Sequence, residues 1–91
     1  MVIKALAFSK RGMDLGLELS FRLMEGPLQD ASVEYELERC PEGGLSSWTE
    51  KAFKSADALL FIGSCGIAVR AIAPFVKKKT EDPDVIVMEE L

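Results

Sequence analysis

Apolar positions fall into two patterns along the 91-residue chain, continuous runs and periodic stripes. Ala58-Leu59-Leu60-Phe61-Ile62 is an unbroken run between Asp57 and Gly63, and Val2 to Phe8 is interrupted only by Lys4. Runs this short and this apolar predict strands buried on both faces, as in a parallel sheet covered by helices. Val33 to Leu37 alternates apolar with acidic residues, the signature of a half-exposed strand. A turn at Asp82-Pro83 leads into a last strand, Asp84 to Met88.

The segments between these runs read as helices. Met13 to Leu23 alternates like a strand, but its charges decide otherwise. At roughly 100° per residue, Arg11, Asp14, Glu18, Arg22 and Glu25 fall in a sector of about 80°, and Gly26-Pro27 supplies a stop. Ser47-Trp48-Thr49-Glu50 matches a capping box opening a helix that buries Trp48, Ala52 and Phe53, after a loop from Glu38 to Leu45. Gly66 to Val76 carries one charge, Arg70, which predicts a helix covered on nearly all sides and kinked or ended by Pro74. Lys77-Lys78-Lys79 follows, where a helix C-terminus favours cations. The order β-α-β-α-β-α-β implies an α/β fold: a three-layer, four-stranded parallel sheet of order 2-1-3-4, half of a flavodoxin- or Rossmann-like sheet.

Composition narrows the function. Hydrophobic residues at 48% and charged residues at 29% describe one folded domain spanning residues 1–91. A net charge of −4 disfavours nucleic acid and anionic membranes as partners, so any anion site must be local. There is no histidine, which removes Ser-His and Cys-His catalytic pairs, and no metal site is expected. Two cysteines, no recognisable signal segment and no run long enough to cross a bilayer give a cytoplasmic expectation, with no Cys40–Cys65 disulfide. The chain stops directly after a strand. That would leave an open apolar edge, so the expectation is an N-terminal fragment of a longer multidomain protein, with a homodimer left open.

In such a sheet ligands bind at the carboxyl ends of the strands, where order reverses between strands 1 and 3. The candidate site is therefore Ser9-Lys10-Arg11-Gly12 beside Gly63-Ser64-Cys65-Gly66. Free N–H groups and the helix dipole at Gly63–Gly66 attract negative charge, although a plain strand-to-helix turn has the same letters. Lys10 and Arg11 at a helix start are unfavourable for stability, which points to another duty or to simple extension into water. Arg70, on an otherwise apolar helix, needs a carboxylate from Asp57, from an acidic residue near Glu81, or from a ligand. Cys65 near a helix start would have a depressed thiol pKa, but with no partner base it reads as packing. The catalytic residues are not identified. Neither a GxGxxG nor a P-loop pattern occurs, which leaves a flavin- or nucleotide-binding half-sheet as the weakest alternative.

The stretch Gly66-Ile67-Ala68-Val69-Arg70-Ala71-Ile72-Ala73-Pro74, with Lys79, Asp82-Pro83 and Asp84-Val85-Ile86-Val87, resembles the N-terminal domain of the cobalt-precorrin-5A hydrolase family of anaerobic cobalamin biosynthesis. The opening strand with Lys10-Arg11-Gly12, and Phe53 to Asp57 leading into the third strand, fit the same pattern; Gly26 to Trp48 does not. Ser64-Cys65 departs from the family's Ala-Thr. The resemblance implies a hydrolase that opens a lactone on a cobalt macrocycle and releases acetaldehyde. Its substrate is a tetrapyrrole-derived polycarboxylate. Cobalt would travel in the substrate, so no cofactor is implied, and the remaining domains of the full-length protein become partners. Lys10, Arg11 and Arg70 would pair with substrate carboxylates, and the amides around Cys65 to Ile67 would hold a carboxylate or oxyanion. A non-catalytic docking domain of the same protein is the alternative.

Overall fold

The computed structural model describes residues 1–25, 33–77 and 81–89, without the side chains of Met24, Glu25 and Cys65. The expected stop at Gly26-Pro27 and the lysines 78 and 79 lie outside them. The elements in chain order are β1 (Val2–Ala7), α1 (Lys10–Glu25), β2 (Glu34–Arg39), α2 (Leu45–Ser55), β3 (Ala58–Ile62), α3 (Cys65–Ile72), a 3-10 turn (Ala73–Phe75) and β4 (Asp84–Met88). All strand pairs are parallel, in the order β2-β1-β3-β4. The α/β architecture expected from the sequence is the one observed.

β3 is central and all five of its residues are buried, so it is apolar on both sides. Its alternating side chains feed two cores. Leu59 and Phe61 join Leu6, Ala52, Ala68 and Ala71 under α2 and α3, with Phe8, Trp48, Phe53, Val85 and Val87 packed around them. Leu60 and Ile62 join Ala5 and Ala7 under α1, with Met13, Leu15, Leu19, Tyr35, Leu37 and Met88. Two helices thus cover one face and one helix the other. At the amino ends, Asp57 fastens three strands: its carboxylate accepts from Val2 N at 2.7 Å, its N–H donates to Val2 O at 2.8 Å, and its carbonyl accepts from Asp84 N at 3.0 Å.

α1 lies close to the sheet because Gly16 leaves room. A Cβ there would stand 2.7 and 2.9 Å from the Leu37 methyls and 3.0 Å from Ile62 Cδ1. Tyr35 locks the contact by donating its hydroxyl to Gly16 O at 3.0 Å, and partial burial pushes its phenol pKa up.

Four expectations are corrected. β2 runs on to Arg39, so Glu38 and Arg39 belong to a strand rather than a loop. α1 begins at Lys10, not Met13. α2 starts at Leu45 behind Gly44, with no side-chain cap, and the Ser47–Glu50 capping box is not used. A turn bringing Gly44 N to Pro41 O at 3.0 Å starts the helix earlier, which seats Leu45 against the core; Thr49 is buried and donates to Leu45 O at 2.7 Å. Finally, α3 is not covered all round. Ala68 and Ala71 face the core, while Gly66, Ile67, Val69 and Arg70 face outward, Val69 being 54% exposed. An apolar helix in the outer layer of a three-layer domain reads like a buried one, because the letters do not show that no fourth layer follows.

Candidate functional site

The strands end level. Ala7 pairs in register with Arg39 and Ile62, and Ile62 with Met88. The next residues, Cys40, Phe8, Gly63 and Glu89, therefore form one row along the carboxyl edge, adjacent members about 4.8 Å apart. Hydrogen bonds stitch this row: Cys40 N to Ala7 O at 2.7 Å, Phe8 N to Ile62 O at 3.4 Å, and Gly63 N to Met88 O at 2.9 Å. The turns after β1 and β3 stand side by side, and a crevice of about 410 Å³ opens between them, lined by Phe8, Ser9, Gly63, Ser64 and Glu89.

Phe8 is the aromatic residue of the lining and forms its floor, backed by the core rings. Phe8 stacks on Phe61 with ring centroids 6.4 Å apart, and Trp48 meets Phe61 edge-on at 5.8 Å. Gly63 is held against that floor, where a Cβ would stand 2.6 Å from Phe8 Cδ2. A side chain at this position would displace the ring or the turn.

The two helix starts differ. At α1, Ser9 Oγ accepts the Gly12 N–H at 3.0 Å and Ser9 O accepts Met13 N–H at 3.0 Å, so Ser9 is an N-cap and Gly12 is buried in the first turn. Lys10 and Arg11 are exposed on that turn, which contains no acidic residue. At α3, Ser64 is the N-cap residue but makes no side-chain cap bond, and the first turn again lacks an acidic residue. The Ser64 hydroxyl thus leaves the first N–H groups of α3 without a side-chain cap, and Ser64 itself lines the crevice.

The other sequence candidates fall as follows. Gly66 lies exposed on the first turn of α3, and a Cβ there would meet only Ser64 Oγ at 3.7 Å. Cys65 supplies the first residue of α3, and its expected thiol environment lies outside the described atoms. Arg70 is corrected in its surroundings: it is exposed rather than desolvated, and among the described residues no carboxylate pairs with it. Asp57, one of its expected partners, is occupied at the opposite edge of the sheet. Arg70 sits about 8 Å along α3 from its start. Cys40 is a free thiol whose pKa burial pushes up, and its Sγ lies 3.6 Å from Pro41 O. Glu89 was not a sequence candidate, yet it lines the crevice. Aligning the strand ends is the signal that finds it. Among the described residues no group of three or more potential metal ligands occurs, and no helix is long and apolar enough to cross a membrane.

A parallel half-sheet of order 2-1-3-4 with a crevice at its carboxyl edge defines an α/β domain whose candidate ligand site lies where such sheets bind ligands. Comparison with known proteins sharpens the class. The cobalamin synthesis G N-terminal family matches residues 47–91, which take in β3, the crevice turn, α3 and β4. Cobalt-precorrin-5A hydrolase of Salmonella typhimurium (strain LT2) is 47% identical over 49 residues, 54% of this chain and 14% of the relative. No solved structure matches. Through residues 47–91, just under half of its length, the chain is similar to the cobalamin synthesis G N-terminal family.

Proposed function

We propose that this chain is the N-terminal domain of a cobalt-precorrin-5A hydrolase of cobalamin biosynthesis, working in the cytoplasm and contributing substrate binding to a longer enzyme. The observation that carries this reading is the 47% identity to that hydrolase, together with a family match running through the crevice turn. The substrate of such an enzyme is a cobalt-bearing macrocycle rich in carboxylates, so the metal arrives with the substrate and the domain needs no cofactor of its own. On a chain of net charge −4, Lys10 and Arg11 are exposed cations on the first turn of α1, which follows the crevice residue Ser9, and would suit pairing with peripheral carboxylates. Arg70, on the outer face of α3, would reach a more distant one. The open amides at the start of α3 suit a carboxylate or the oxyanion that forms as a lactone carbonyl is attacked.

The test is an anaerobic titration of the full-length protein with cobalt-precorrin-5A, followed by the macrocycle's absorbance and by trapping released aldehyde. Binding with aldehyde release is expected. Arg11→Ala is expected to weaken binding about 5- to 10-fold, the loss of one charge-assisted contact of about 1–1.4 kcal/mol, without lowering the melting temperature. A wild-type protein that neither perturbs the spectrum nor releases aldehyde would remove the assignment. A second reading, a non-catalytic docking domain, is favoured by the bare outer face of α3, with Ile67 and Val69 exposed. Retained turnover by the remaining domains after deletion of this one would favour it.

A further inference from the structure

Resting on that reading, we propose that Glu89 is the general base that activates water against the lactone carbonyl. The argument begins with register. Met88 pairs with Ile62, and its carbonyl accepts Gly63 N–H at 2.9 Å, which fixes the next residue, Glu89, level with Gly63 and two strands from Phe8. Alternation sets the direction. Val85 and Val87 pack toward α2 and α3, and Met88 toward α1, so Glu89 returns to the α3 side, where the crevice lies.

Among the residues lining the crevice, Phe8, Ser9, Gly63, Ser64 and Glu89, the last alone has a titratable side chain. The chain has no histidine to take the role. Among the described residues no ion pair holds the Glu89 carboxylate, which is exposed. The lining thus has two poles: Ser64, which leads into the first amides of α3, and Glu89, which follows β4 level with Gly63.

This polarity fits acyl hydrolysis. Water adds through its oxygen to the lactone carbonyl carbon while Glu89 takes one of its protons. The α3 amides receive the negative charge that develops on the carbonyl oxygen. Collapse of the tetrahedral species breaks the acyl C–O bond, and the proton on Glu89 passes to the leaving alkoxide. The products are a carboxylic acid, which ionises to solvent, and a hydroxyl; no oxidant or reductant is consumed.

Glu89→Gln in the full-length protein keeps size and polarity but cannot take the proton. The expected result is a kcat at least 100-fold lower, with KM and melting temperature unchanged and activity partly recovered in Glu89→Asp. Wild-type kcat in Glu89→Gln would overturn the assignment while leaving the proposed function standing. Tighter macrocycle binding with unchanged kcat would also overturn it, marking Glu89 as a competing anion instead. Failure of the wild-type protein itself to bind the macrocycle would take down both readings.

Discussion

The starts of α1 and α3 are built from similar letters, a strand followed by serine and then a helix, yet they do different work. Ser9 turns back to cap its own helix, and α1 is then clamped to the sheet through Gly16 and Tyr35. The Ser64 hydroxyl makes no cap bond, and α3 rests on the sheet through Ala68, Ala71 and Ile72 while its outer face stays bare. One helix start is satisfied within the fold and the other is left open. The difference teaches that a hydroxyl before a helix is not evidence of a ligand until its own hydrogen bonds are traced.

The largest expected effect that sharpens this contrast comes from the glycines. Gly16→Val is expected to destabilise the chain by about 1–3 kcal/mol through overpacking against Leu37 and Ile62. Gly66→Ala, whose Cβ would make only an ordinary contact with Ser64 Oγ at 3.7 Å, should instead stabilise it by about 0.5–1 kcal/mol; urea melts of the two variants read both signs. Next come the serines. Ser9→Ala should cost about 1 kcal/mol for the lost cap, whereas Ser64→Ala should leave the midpoint within about 0.5 kcal/mol. Equal losses at the two positions would erase the distinction between the helix starts.

The smallest effect is a pH dependence at the α1 clamp. The phenol of Tyr35 titrates above the ordinary value of 10.0 in the folded chain, because burial disfavours its anion. The native state therefore holds a proton that the unfolded state gives up first. The stability linked to Tyr35 is complete below about pH 10 and declines as pH rises through the raised native value. Tyr35→Phe should lack that extra decline, which paired melts of the two proteins at rising alkaline pH would reveal. Parallel curves would show that the phenol is not held by the fold.

Much of the scaffold was legible because burial writes itself into letters. β3 and β4 were bounded correctly, the first by its unbroken apolar run and the second by the turn at Asp82-Pro83 that leads into it. Where local signals competed with packing, packing prevailed. The letters Ser47 to Glu50 spell a cap, but Leu45 had core to fill and the helix began earlier. Arg70 reads as a partly covered charge needing a carboxylate because its neighbours are apolar, and only the count of layers shows that its side of α3 meets solvent. The two crevice turns were placed together by topology alone. Glu89 was missed because its role depends on register across three strands, a property of pairing and not of any one segment.

The sheet also separates two units that are easily confused. The family match begins at residue 47 and supplies β3 and β4, yet β3 has β1 as its other neighbour, drawn from the unmatched half. β1 thus flanks β3 from outside the matched residues, and the matched residues cannot complete the sheet without it. What is inherited as a recognisable pattern is shorter than what must fold together.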